Sequence, residues 1–136
     1  MEPYHHRVQY YETDKMGITH HSNYIRWMEE ARIDFLEQLG YSYGRLEQMG
    51  IGSLVLSVEC RYRAKTTFPD DVSITVRVEQ FSSVRLRVAY EMTTPDGTRV
   101  CQARSEHCFV NGEGSVVRLA RVCPELAEKL AALAEE

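Results

Sequence analysis

The stretch "YYETDKMGITHHSNYIRWMEEARIDFLEQLG", residues 10–40, decides the fold. In its second half Tyr24, Met28, Ala31, Phe35 and Leu39 fall on one helical stripe, with Trp27 and Leu36 widening it. Arg26, Glu29, Asp34 and Glu37 lie elsewhere on the helix. Ser22 or Asn23 can cap the start and Gly40 stops it, so the spacing predicts a helix over 22–39. An apolar surface that wide is largely enclosed by the rest of the chain.

The flanking sequence reads as strands. Residues 4–11 form a first candidate, and after a short linking region "LVLSVECRY" (54–62) alternates. Leu54, Leu56, Val58, Cys60 and Tyr62 share one face, and Ser57, Glu59 and Arg61 the other, as in a half-buried strand. The same period recurs in Val72, Ile74, Val76 and Val78, in Val84, Leu86, Val88 and Tyr90, and more weakly over 100–110. "TTPDGT" places Asp96-Gly97 at a hairpin tip, and "NGEG" at 111–114 turns the chain into a last strand around 116–119. Turns this short make neighbouring strands antiparallel. "CPELAEKLAAL" starts a C-terminal helix on a proline, with Leu126, Leu130 and Leu133 at helical spacing. One sheet face buried against one long helix is an α+β domain, and 136 residues suit a single domain over 1–136.

Composition narrows the function. Hydrophobic content of 43% with 26% charged residues is that of a soluble, ordered chain. A net charge of -4 argues against phosphate-backbone binding, so nucleic acid is not an expected partner. The N-terminus lacks a signal pattern and no apolar run approaches bilayer length, which predicts a cytoplasmic protein with no membrane partner. Cys60, Cys101, Cys108 and Cys123 form no C-x-x-C pair and read as reduced packing residues.

The loop before the helix carries the chemistry. His5, His6, His20 and His21 with Glu12 and Asp14 lack metal-ligand spacing, because adjacent histidines on extended chain point in opposite directions; no metal and no cofactor is expected. Ser22 and Cys60 lack the setting of an activated nucleophile. Unpaired N–H groups at residues 22–25, reinforced by the helix dipole, would face a loop carrying Asp14. A carboxylate beside such donors suits acyl transfer or hydrolysis. Gly17 allows a tight turn or a close approach to a ligand. The same residues also fit a plain turn that Asp14 caps and Gly17 bends.

The quoted stretch resembles the opening of the 4-hydroxybenzoyl-CoA thioesterase-like (YbgC-type) family. The resemblance rests on Asp14, Gly17, His21, Asn23, Tyr24, Glu30, Ala31 and Arg32, and later on "VECRYRAKTTFPDDVSITVRV" with Asp71. It implies a hotdog fold, an antiparallel sheet wrapped around the long helix, with subunits paired edge to edge and active sites at the interface. It implies an acyl-CoA thioesterase that forms a homo-oligomer, a dimer or a dimer of dimers (homotetramer). Asp14 would be nucleophile or general base, and a main-chain N–H near His21 would polarise the carbonyl while the His21 imidazole helps position thioester or water. Gly17, Ile18, Ser22, Asn23 and Tyr24 would contact substrate. His20 stands where members carry an aromatic residue and reads as a variable neighbour. Met16, where members often carry a small residue, would narrow the pocket. An acyl-carrier-protein thioesterase and a non-catalytic acyl-CoA binding module remain alternatives. Glu30 reads as a helix-surface ion-pair partner, Arg61, Arg63 and Lys65 as a solvated strand face, and His107 as a satisfied core or interface histidine.

Overall fold

The alternating runs pair as the hairpin signals require. In the computed structural model, which describes residues 1–136, β1 (Tyr4–Arg7), β2 (Gly52–Tyr62), β3 (Asp71–Phe81), β4 (Arg85–Thr93) and β5 (Arg99–Val110) form one antiparallel sheet. Its order is β1-β3-β4-β5-β2. Val72, Ile74 and Val78 on β3, and Leu86, Val88, Tyr90 and Met92 on β4, are buried. That face receives α1 (Ser22–Gln38), whose Trp27, Met28, Ala31 and Phe35 are buried as the stripe demands. Each large apolar side chain enclosed there contributes about 1.5–3 kcal/mol.

A short α2 (Tyr43–Gln48) occupies what reads in the sequence as linker, because the Ser42 Oγ accepts the Arg45 N–H and Leu46 anchors the turn in the core. After α3 (Leu119–Val122), α4 (Pro124–Ala134) packs on β3, with Leu126 and Leu130 fully buried. The architecture is the expected α+β one, and three local expectations change. The first strand ends at Arg7, because Gln9 and Glu12 cap a 3-10 turn at Tyr10–Glu12. The last expected strand shrinks to one bridge, Val110 to Val116, before α3 begins.

The third change concerns β2, which lies at the sheet edge and is not half-buried. Its register slips between Val55 and Ser57, so Val55 faces His107 across β5 whereas Val58 faces Ser105. A bulge flips the phase of alternation. Leu54 therefore leaves the face of Val58, Cys60 and Tyr62, and Val55 joins it. Leu54, Val55, Leu56, Val58 and Tyr62 are all exposed.

Candidate active site

The loop leading to α1 is a small closed structure. Thr13 and Thr19 form an antiparallel bridge, the Asp14 N–H donates to the Ile18 carbonyl at 2.9 Å, and the Gly17 N–H donates to the Asp14 carbonyl at 2.9 Å. The Asp14 Oδ1 accepts the Met16 N–H at 2.8 Å. Gly17 has φ 80, in the left-handed region, and a Cβ there would meet nothing within 4 Å. Backbone geometry is what requires glycine here; no neighbouring atom crowds the position.

Two buried anchors hold this loop to the core. Thr19 donates its N–H to the Thr66 carbonyl at 2.9 Å, and the two hydroxyls lie 2.6 Å apart with the Tyr24 hydroxyl 2.9 Å from Thr66 Oγ1. Glu12 is the other anchor. Its carbonyl accepts the His20 N–H at 2.8 Å and the Asn23 Nδ2 at 3.0 Å. Its carboxylate accepts the Gln9 N–H, His6 Nε2 and the Trp27 Nε1–H, each at 2.8 Å. Burial pushes the Glu12 pKa up, but these three donors outweigh it and hold the carboxyl below its ordinary value. His6 also reaches Glu30 Oε1 at 3.1 Å, and the Tyr4 hydroxyl donates to the same oxygen at 2.7 Å. Glu30 thus ties α1 to β1 and is not a helix-surface pair.

Three of the four N–H groups expected to be free at the helix start are taken. The Ser22 N–H goes to His20 Nδ1, the Asn23 N–H to the His20 carbonyl and the Tyr24 N–H to the His21 carbonyl. The His21 N–H, at the cap position, donates to nothing in the chain. Neither Ser22 nor Asn23 caps α1. The Ser22 Oγ lies 2.8 Å from His20 Nδ1, and the Asn23 side chain clamps the Glu12 and His20 carbonyls while its Oδ1 accepts Arg26 Nη1 at 3.1 Å.

An open depression of about 670 Å³ lies over this loop, lined by Tyr10, Tyr11, Thr13, Asp14, Lys15, His20, Ser22, Asn23 and Arg26. Asp14, Ser22 and Asn23 are together there. Gly17, Ile18 and His21 lie outside its lining, and His20 stands inside. Tyr24, expected to touch substrate, is buried in the core against Trp27 and Tyr62, because its hydroxyl is drawn inward to Thr66. Met16 is 81% exposed and does not narrow the depression. Lys15 and Arg26, not singled out in the sequence, bring positive charge to its rim, while Arg61 pairs with Glu59 and Arg63 bonds Gln102. A smaller hollow of about 440 Å³ on the sheet holds interlaced Arg and Glu side chains and lacks Asp14. No three His, Cys, Asp or Glu side chains converge as metal ligands.

Away from the loop, His107 is fully buried, with Nε2 2.7 Å from Ser105 Oγ and Nδ1 lacking a partner, so it is only half satisfied. Burial and then the nearby Arg32 charge lower its pKa to about 4.

Comparison with known proteins identifies the family. Residues 8–130 match the model of the thioesterase-like superfamily. A crystal structure of a DHNA-CoA thioesterase from Staphylococcus aureus superposes with a TM-score of 0.92 at 31% identity, covering 98% of this chain and 93% of that one. An Aquifex aeolicus protein named as a candidate esterase is 35% identical over 116 residues, 85% of this chain and 89% of its own. A Bacillus subtilis protein named as a candidate acyl-CoA thioesterase is 30% identical over 106 residues, 78% of this chain and 77% of its own. The fold is the hotdog fold, and the chain belongs to the thioesterase-like superfamily.

Proposed function

We propose that the protein is an acyl-CoA thioesterase, converting a thioester and water into a carboxylic acid and free CoA, with Asp14 as its central catalytic group. The observation that carries this reading is a carboxylate in the depression, with an unbonded main-chain donor at His21, between the lining residues His20 and Ser22. Asp14 lines the depression with Oδ1 fixed by the Met16 N–H and Oδ2 uncommitted, and the His21 N–H at the helix start has no partner. That N–H polarises the carbonyl and stabilises the oxyanion. Asp14 either takes a proton from the attacking water or attacks the carbonyl itself, expelling the CoA thiolate as the C–S bond breaks and forming an anhydride that water opens. Lys15 and Arg26 at the rim suit the phosphates of CoA.

The exposed apolar edge strand β2 supports a homo-oligomer in which two copies of β2 pair about a two-fold axis, as a dimer or a dimer of dimers. A single core of 26 buried residues, drawn from every helix and from β3, β4 and β5, supports one domain over 1–136. Four unbridged cysteines suit the reducing cytoplasm.

The test is turnover of a thioester panel, from short aliphatic through aromatic, DHNA-CoA included, to long aliphatic acyl-CoA, beside acyl carrier protein thioesters. Release of free CoA supports the reading, and release from carrier protein alone would move the activity to that carrier. Binding without turnover across the panel would leave a non-catalytic module and overturn it. Single turnover in ¹⁸O-water then tests the nucleophilic role, because label in the Asp14 carboxylate requires an anhydride that water opens at the Asp14 carbon.

A further inference from the structure

His20 shares the depression with Asp14, and its ring is held in one tautomer. The Ser22 main-chain N–H donates to its Nδ1 at 3.2 Å, and the Ser22 Oγ lies 2.8 Å from the same nitrogen. A main-chain N–H can only donate, so Nδ1 is an acceptor and the ring proton sits on Nε2. The Nε2–H has no acceptor in the chain. His21 stacks on one face of the ring, with centroids 4.4 Å apart and planes at 27°, which limits the ring's rotation. The His21 imidazole itself makes no hydrogen bond and lies outside the lining.

We propose that His20 is a catalytic residue, its Nε2–H donating to the thioester carbonyl oxygen alongside the His21 main-chain N–H. The inference rests on the thioesterase reading and adds a side-chain donor to that site. Both donors spring from one peptide unit, the His20 side chain from one end and the His21 N–H from the other, so covalent geometry keeps them close. His20 transfers no proton. Its hydrogen bond strengthens as the carbonyl oxygen gains negative charge, and it returns to ground-state strength when the C–S bond breaks and the carbonyl reforms.

The plain alternative is that His20 serves only to satisfy the Ser22 N–H, a capping role for Nδ1. Two substitutions at this exposed position separate the roles, since an Asn oxygen can replace the Nδ1 acceptor whereas a Gln amide can replace the Nε2 donor. We expect His20→Asn and His20→Phe to lower kcat on the order of a hundredfold with KM nearly unchanged. His20→Gln should regain about tenfold of that loss. Wild-type kcat in His20→Asn, or His20→Gln no faster than His20→Phe, would overturn the inference while leaving an active wild type and the thioesterase reading intact. A wild-type protein that turns over no thioester would sink the underlying reading instead.

Discussion

At Glu12 burial raises the carboxyl pKa, and donors from Gln9, His6 and Trp27 more than reverse it, so the fold favours the charged form. A depressed folded pKa contributes stability above the ordinary glutamate value of 4.5 and loses it as pH falls through the folded value. Glu12→Gln should therefore cost about 1.5–3 kcal/mol at neutral pH, the scale of hydrogen bonds to a charged group. Denaturant melts across pH check this: the gap to wild type should close below the folded pKa, and a constant gap would contradict it. Gly17→Ala meets no steric obstacle, so its cost is backbone strain alone, about 1 kcal/mol. A loss well above that in thermal unfolding would mean that the site is crowded after all. At this scale the sequence made the turn legible, since Asp14 and Gly17 have the chemistry of a tight loop. It put Tyr24 both on the enclosed stripe and against substrate, and it did not reveal that the Tyr24 hydroxyl turns inward or that His20 lines the depression. Both depend on side-chain bonds to distant Thr66 and neighbouring Ser22 that no spacing encodes.

Among the elements, β2 is the one on which the proposed assembly rests. An eleven-residue edge strand with unpaired backbone groups and exposed Leu54, Val55 and Leu56 is a surface that pairing would cover. Val55→Lys should shift the protein toward monomer in light scattering at micromolar concentration, with its circular dichroism retained. A variant that keeps the wild-type mass would remove β2 as the interface. The elements were legible where one period ran unbroken, as in α1, in β3 as far as Val78 and in β4 as far as Met92. On β2 the slip between Val55 and Ser57 changes which residues share a face, and a run of alternating residues carries no mark of a bulge. The segment 116–119 has strand composition, yet it makes only the one bridge, Val110 to Val116, with the Val117 N–H on the Phe109 carbonyl, before the Leu119 N–H turns to the Ser83 carbonyl.

Across the whole molecule, the sheet and α1 form a rigid frame from which the loop is hung by Glu12 and Thr66. The proposed substrate chemistry uses a few groups at the start of one helix, and none of its steps uses a metal. A strong chelator should leave CoA release unchanged, and loss of activity restored by zinc would force the histidines to be reread as ligands. The central claim is that the Asp14 carboxylate does the chemistry, and its most direct test is steady-state CoA release by wild type and Asp14→Asn on the best acyl-CoA of the panel. The substitution keeps shape and removes charge, so the expected result is a folded protein whose kcat falls by about two orders of magnitude or more. An Asp14→Asn protein with wild-type kcat would contradict it.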